Sequence, residues 1–171
     1  MIIRQETTSD ASAVYELVKT AFASAEHSDG NEQDLVVLLH KSPAFQPALS
    51  LVAEENGKII GYILFSEIKI GEKTAIAPAP LAVLPEHQRK GVGLALLVEG
   101  HSIAKNLGYG ISVVLGSETY YPKAGYVPAS RFGIVCPFEG VPDENYMALP
   151  LQEPTGHWNG TVTYDKAFFE V

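Results

Sequence analysis

A short segment near the middle of the chain combines two cations, an amide and two glycines at a spacing that suits anion binding. Residues 88–93 read Gln-Arg-Lys-Gly-Val-Gly, after the apolar run 81–84 and before an apolar pattern of helical period. This order predicts a strand end, a glycine-rich loop and the start of a helix. Backbone N–H groups at a helix start have no intrahelical partner, and the helix dipole adds partial positive charge there. Because glycine has no Cβ, a phosphate oxygen could approach these N–H groups closely.

The same Gly-x-Gly spacing also occurs in ordinary strand-to-helix connections, whose charged side chains are only solvated. Two nucleotide-binding loops fit the segment poorly. A Rossmann loop would need glycine or alanine where Leu96 stands, and a P-loop would need Gly-Lys followed by serine or threonine. If the segment binds an anion, the site is therefore of another kind.

A second segment, residues 120–126, follows the apolar run 111–115 and reads Tyr-Tyr-Pro-Lys-Ala-Gly-Tyr. Tyrosines in such a place can pack in the core. A phenol with a reference pKa of about 10 can also give its proton to a thiolate with a pKa of about 8.5, as negative charge develops on the sulfur. For Tyr121, packing and proton donation are both open on the residues alone.

Together the two segments resemble motifs of the GNAT N-acetyltransferase superfamily. Residues 88–93 match its Q/R-x-x-G-x-G/A acyl-CoA pyrophosphate loop, and residues 120–126 are similar to its F/Y-Y-x-K/R-x-G-F/Y segment. The resemblance covers roughly residues 1–151. It implies an α/β fold with a mixed, mostly antiparallel sheet, flanked by helices, whose central strands splay apart at 81–84 and 111–115. The pantetheine arm of the cofactor is expected to enter that gap.

The resemblance also implies acetyl-CoA as co-substrate and assigns roles to individual positions. The backbone groups of residues 81–83 are expected to hydrogen-bond the pantetheine amides, with the N–H of Val83 facing the thioester carbonyl. Tyr121 takes the position of the general acid in many family members, and Tyr120 takes the neighbouring position, which packs. The residues expected to bind the cofactor are Leu81, Ala82, Val83, Gln88, Arg89, Lys90, Gly91, Val92 and Gly93.

The group that would take a proton from the amine is less defined. Glu67 lies in an otherwise apolar predicted strand, so its carboxylate could face an acceptor cleft, or face solvent on an alternating strand. Glu26, His27, Glu32 and His40 stand around the two N-terminal helices, where the family has its acceptor wall, and each also fits an ordinary surface position. Water could replace a fixed base. We take Glu67 as the candidate.

The remaining pattern is that of one α/β domain. A strand at 1–5 and two helices precede three strands, at 49–54, 58–70 and 74–84, the first two joined by the turn Asn56-Gly57. Pro78 and Pro80 are unusual near a sheet centre, and they predict a bulge, a late strand start or a strand side left free for a ligand. We divide the chain into an acetyltransferase domain, 1–151, and a packed extension, 152–171, which is a tail or a hairpin through Asn159-Gly160.

The composition of the chain limits which classes of function are possible. The chain has 171 residues, 46% of them hydrophobic, which suits one domain with a real core. Its net charge of −8 argues against a nucleic-acid partner and suits a cationic or amine acceptor. With Cys136 as the one cysteine and no zinc-type spacing, neither a disulfide nor a metal is expected. The polar N-terminus and the lack of a long apolar run predict a cytoplasmic protein without a membrane partner.

We therefore expect an enzyme that moves an acetyl group from acetyl-CoA to a primary amine of a small molecule or peptide. Attack would be direct, in a ternary complex, with Tyr121 as general acid. The alternative is a GNAT-like domain that binds acyl-CoA or a protein partner without turnover. The fold does not fix the acceptor, and the oligomeric state is open, with a homodimer as one form.

Overall fold

The structure of the protein is a computed structural model that describes residues 1–26 and 28–171. The helices are α1 Ala11–Phe22, α2 Glu32–His40 and α3 Val92–Asn106. The strands are β1 Ile2–Gln5, β2 Phe45–Glu55, β3 Lys58–Ile70, β4 Lys73–Val83, β5 Ile111–Leu115, β6 Val127–Pro128, β7 Ile134–Val135, β8 Tyr146–Pro150 and β9 Gly160–Thr163. Short 3-10 turns at Pro85–His87 and Tyr121–Ala124 precede α3 and follow β5.

The main sheet has the order β1-β2-β3-β4-β5-β8-β6, and all neighbours in it are antiparallel except β4 and β5. These two parallel strands are joined by a single residue pair, Ile76 with Ser112. Beyond Ile76, β4 continues to Val83 without a partner on that side. The prediction of a mixed, mostly antiparallel sheet with splayed central strands is confirmed.

The two prolines of β4 stand at a bulge. Ile63 on β3 pairs with Leu81, but Phe65 pairs with Pro78, so one residue of β3 faces both Ala79 and Pro80. A bulge of this kind bends the strand and ends regular pairing locally. The strand itself begins at Lys73, so the alternative of a late strand start is wrong.

Helices cover both faces of the sheet, and glycines set how closely α3 approaches. A Cβ on Gly61 of β3 would lie 2.9 Å from Val92 Cγ1, so no larger residue fits there. Tyr62 follows in the strand and must point to the opposite face. There its hydroxyl lies 2.7 Å from that of Ser50 and 3.4 Å from the carboxylate of Glu6, which is bonded to His40 on α2.

The tight turn between β2 and β3 is confirmed, because Asn56 and Gly57 both have positive φ angles, of 52° and 78°. The C-terminal segment takes a form that the sequence did not indicate. Its strand β9 pairs with β3 through Lys69–Thr163 and with β7 through Ile134–Gly160. It therefore joins the sheet beside a distant strand and makes no hairpin of its own.

No helix within residues 1–26 and 28–171 has the length and apolar character needed to cross a bilayer.

Candidate active site

A groove of about 870 Å³ opens where β4 and β5 diverge. One wall is the end of β4 with the loop into α3, and the other is the segment that follows β5. The residues that line it are Leu81, Val83, His87, Gln88, Arg89, Gly91, Val92, Gly93, Leu94, Gly116, Ser117, Tyr120, Tyr121 and Lys123. Both segments singled out in the sequence therefore meet in one place.

The loop before α3 presents backbone N–H groups to this groove. Arg89 and Gly91 have positive φ angles, of 62° and 86°, and Gly91 is the N-cap of α3. The first N–H bonded within the helix is that of Ala95, to the carbonyl of Gly91 at 3.0 Å. Among the described residues, the N–H groups from 89 to 94 make no backbone hydrogen bond. With the positive end of the helix dipole they supply the donors that anion binding requires, and an anion site at this loop stays a prediction.

Only some of the residues predicted to bind the cofactor line the groove. Leu81 and Val83 line the groove, whereas Ala82 between them is 3% exposed and is not among the lining residues. Lys90 is exposed and does not line it either. Gln88 lines the groove, but its amide donates to the carbonyl of Val83 at 3.1 Å, so it braces the end of β4 in this structure.

Tyr121 is held from three sides. A Cβ on Gly116 would lie 2.4 Å from the Tyr121 ring, so the missing side chain makes the space for it. The rings of Tyr120 and Tyr126 contact it edge-on, with centroids 5.2 and 5.7 Å away. No described residue hydrogen-bonds its hydroxyl, and burial raises the pKa of Tyr121 to about 12. The side chain is thus fixed by packing while it lines the groove.

Tyr120 and Lys123 belong to the groove although neither was predicted as a site residue. The hydroxyl oxygen of Tyr120 would be 2.3 Å from a Cβ on Gly93, so it contacts the first turn of α3. Lys123 Nζ lies 5.9 Å from the centre of the Tyr120 ring and adds a second cation beside Arg89. Both lie in the matched segment 120–126, but the motif alone does not say which way they point.

Glu67 lies elsewhere. Its carboxylate accepts a hydrogen bond from the Tyr109 hydroxyl at 2.7 Å, and it lines a separate pocket of about 240 Å³ with Lys69 and Asp165. It is not among the residues that line the groove with Tyr121. The sequence placed it correctly on the long strand β3, and its role as base stays a prediction.

The other base candidates also lie outside the groove. His40 bonds the carbonyl of Val36 at 2.6 Å and the carboxylate of Glu6 at 2.7 Å. A carbonyl and a carboxylate as partners favour the doubly protonated ring, and the Glu6 hydrogen bond raises the pKa of His40. Glu26 is exposed, Glu32 accepts from Ser28, and His27 lies outside the described residues.

A second cleft, of about 620 Å³, lies between α1 and the β2–β3 turn. Its cations are already paired, since Arg4 contacts Asp10 at 2.8 Å and Lys58 contacts Glu86 at 3.6 Å. It therefore offers no comparable anion site. Within the described part of the chain, no group of three histidine, cysteine or acidic residues could hold a metal ion.

A groove between splayed parallel strands, closed at one end by the N–H groups of a helix start, defines an acetyltransferase of the GNAT type. The family model for the acetyltransferase (GNAT) domain matches residues 46–128. The chain is 37% identical over 152 residues to the uncharacterized N-acetyltransferase YjhQ of Escherichia coli (strain K12), covering 86% of this chain and 81% of YjhQ. The chain therefore belongs to the GNAT acetyltransferase family.

Solved structures agree with this assignment. The GNAT family N-acetyltransferase YhbS from Escherichia coli, in complex with CoA, is 26% identical with a TM-score of 0.86, over 99% of this chain and 92% of YhbS. A GNAT family acetyltransferase from Brucella melitensis, in complex with acetyl-CoA, is 29% identical with a TM-score of 0.81, over 98% and 97% of the two chains.

Proposed function

We propose that the protein transfers an acetyl group from acetyl-CoA to a primary amine of a small molecule or peptide, in a ternary complex, with Tyr121 as general acid. One observation carries the proposal: Tyr121 lines the same groove as the unpaired N–H groups at the start of α3. The CoA and acetyl-CoA complexes of the two similar proteins support acetyl-CoA as the co-substrate.

In the proposed reaction the pyrophosphate rests on the N–H groups of residues 89–94, and the pantetheine arm runs along the unpaired side of β4. The neutral amine nitrogen attacks the thioester carbonyl carbon and forms the C–N bond. The N–H of Val83 stabilises the oxyanion of the tetrahedral intermediate. The C–S bond then breaks, the sulfur takes the proton of the Tyr121 hydroxyl, and the nitrogen gives its extra proton to a base or to water. The Tyr121 phenolate regains a proton from solvent before the next turnover. The products are an acetamide and CoA.

The environment of Tyr121 suits proton donation. Since burial raises its pKa to about 12, the hydroxyl stays protonated at neutral and mildly alkaline pH. Bound substrates would displace water from this part of the groove, and loss of water from the thiolate raises the pKa of the leaving sulfur as well. The pKa of the proton donor, Tyr121, and that of the acceptor, the CoA sulfur, are therefore both raised. Proton transfer between them stays feasible as negative charge develops on the sulfur.

A panel of primary amines, with release of free CoA as the readout, tests the proposal. Tyr121→Phe should lower kcat by about 100-fold or more, the usual contribution of a general acid, while the KM for acetyl-CoA stays within about twofold because the phosphate contacts remain. Tyr62→Phe is the matched control, since it also removes a buried tyrosine hydroxyl, one bonded to Ser50, and lines neither the groove nor the pocket of Glu67.

Full activity of Tyr121→Phe would remove this residue from the mechanism. Binding of acetyl-CoA without CoA release on any amine would instead favour the domain that binds and does not turn over.

We keep Glu67 as the proposed base, with one condition set by its surroundings. Its carboxylate is engaged by the Tyr109 hydroxyl, so an acceptor amine would have to replace that bond or share the carboxylate. Glu67→Gln should then lower kcat by about 100-fold, and Tyr109→Phe, which frees the carboxylate, should leave kcat unchanged. If Glu67→Gln keeps full activity, water or another group takes the proton.

A further inference from the structure

A buried hydrogen-bonded trio lies directly behind the groove. The Tyr126 hydroxyl lies 2.8 Å from His101 Nε2 and 2.7 Å from the Ser112 hydroxyl. Tyr126 is 2% exposed, Ser112 is 0% exposed and His101 is 9% exposed. The Tyr126 hydroxyl can donate one hydrogen bond and accept another. In either tautomer of a neutral His101 it can therefore donate to one of its two neighbours and accept from the other.

The trio joins the three elements that build the groove. His101 belongs to α3, the helix whose first turn forms the anion site. Ser112 is the residue of β5 that pairs with β4, at the point from which the two strands diverge. Tyr126 follows the 3-10 turn that begins at Tyr121, and its N–H bonds the Tyr121 carbonyl at 3.4 Å.

The trio contacts Tyr121 through the ring of Tyr126. The two rings meet edge-on, 5.7 Å apart and at 78°, while Gly116 and Tyr120 close the other sides. The hydrogen bonds of the Tyr126 hydroxyl hold the Tyr126 ring in place. The Tyr121 ring packs against it and is held in place through this contact. A phenylalanine at 126 would fill the ring's volume but would leave His101 and Ser112 unpaired in the core.

We propose that His101, Ser112 and Tyr126 are positioning residues, which hold the Tyr121 hydroxyl at a fixed place relative to the thioester bound at the start of α3. The proposal rests on the proposed role of Tyr121 as general acid. The trio donates no proton to the reaction, since no hydrogen bond links it to the Tyr121 hydroxyl among the described residues. Its effect is geometric, and misplacement of a reacting group by a fraction of an ångström is enough to slow the chemical step.

The test is a double-mutant cycle on kcat with the full-length protein. Tyr126→Phe should lower kcat by about tenfold and leave the KM for acetyl-CoA within about twofold, because the anion site is untouched. In a Tyr121→Phe background the same change should have no further effect on kcat, since there is no general acid left to position. His101→Gln should keep more activity than His101→Leu, because an amide can still bond the Tyr126 hydroxyl.

Tyr62→Phe serves as the control here as well, because it removes a comparable hydrogen bond of a buried tyrosine, to Ser50, at a site outside the groove. An unchanged kcat in Tyr126→Phe would overturn the proposal. So would an equal loss in both backgrounds, or an equal loss in Tyr62→Phe, each of which indicates a general effect of stability. Where Tyr126→Phe does not fold, Ser112→Ala removes one of the same bonds and enters the same cycle.

The two proposals fail differently. Full activity of Tyr121→Phe removes the general acid and with it the need for positioning. A Tyr121→Phe variant that is inactive, beside a Tyr126→Phe variant with normal kcat, overturns the positioning network alone.

Discussion

Replacing Gly93 with alanine should weaken CoA binding by a steric route that a second substitution can reverse. The new Cβ would stand 2.3 Å from the Tyr120 hydroxyl oxygen. Optimal separations of non-bonded heavy atoms are about 3.5–4.0 Å, so the contact is more than about 1 Å too short. Either the Tyr120 ring moves into the groove or the first turn of α3 moves away, and both changes disturb the place where the phosphates are expected.

The cost can be bounded. Inserting one methyl group into a packed place costs typically about 1–3 kcal/mol. If most of this strain is borne by the CoA-binding form, the dissociation constant rises by a factor of about 5 to 150. Alanine is otherwise well tolerated at this point, because Gly93 lies in a helix and its φ is not positive. The expected loss is therefore due to Tyr120 alone.

Isothermal titration calorimetry with CoA measures this directly. In Gly93→Ala with Tyr120→Phe, the nearest remaining atom to the new methyl group is Cζ at 3.5 Å, an ordinary contact, so affinity should return to nearly that of Tyr120→Phe alone. Gly91→Ala is the matched control. Nothing lies within 4 Å of its Cβ, but its φ of 86° makes alanine strained by about 1–2 kcal/mol. Tyr120→Phe should not relieve that strain.

Two results would refute this reasoning. If Gly93→Ala binds CoA as tightly as the unmodified protein, Tyr120 does not constrain the first turn of α3. If Tyr120→Phe fails to restore binding, or restores Gly91→Ala equally well, the loss does not come from the contact between Gly93 and Tyr120. Thermal unfolding of each variant shows whether a change in CoA affinity comes instead from loss of the folded structure.

Further predictions concern stability. Ser66 is fully buried and its hydroxyl has no partner among the described residues, so Ser66→Ala should be neutral or stabilising, whereas Ser50→Ala breaks a 2.6 Å bond to Glu6 and should cost about 1–3 kcal/mol in urea unfolding. Burial lowers the pKa of His101 to about 4, so the unfolded chain binds the proton first as pH falls. Stability from this group should be lost between pH 6.5 and 4, by up to about 3 kcal/mol, and His101→Gln should abolish that loss. His40 should have the opposite effect on the pH dependence of stability. Because the Glu6 hydrogen bond raises its pKa, His40 stabilises the fold below pH 6.5, and this stabilisation is lost as pH rises through the raised value. His40→Gln should remove that loss.

The sequence was sufficient for the parts of the site that depend on local order. A strand followed by a glycine-rich loop and a helix has few geometries, so this order of elements around residues 88–93 was predictable from the residues alone. The family resemblance then favoured an anion site over an ordinary strand-to-helix connection. The turn at Asn56-Gly57 was equally predictable, because few residue pairs tolerate two positive φ angles. The mixed sheet followed from the order of the predicted strands and helices. Its splayed strands came from the family resemblance, since no local pattern encodes where two strands separate.

The sequence was not sufficient where the decisive contact is between distant residues. Glu67 was placed on its strand, but its hydrogen-bond partner Tyr109 is 42 positions away in the sequence, so that contact could not be predicted. Strand β9 was missed because four residues with weak alternation look like a tail, and only β3 and β7 give them partners. Tyr120 was expected to pack, which is correct for its ring, but no spacing rule indicates that its hydroxyl meets Gly93.

Helix α3 explains why binding and catalysis should nevertheless be separable in this protein. Gly93 and His101 are eight positions apart on it, about 12 Å along the axis of a continuous helix. A helix packed against β3 through Gly61 and Gly100 moves as one body, so its two ends keep a fixed separation. In the proposed mechanism the phosphate end sets where the thioester lies, and the His101 end, through Tyr126, sets where the Tyr121 ring lies. Changes at one end should therefore alter CoA affinity and changes at the other should alter kcat, whereas a change that tilts the whole helix must alter both.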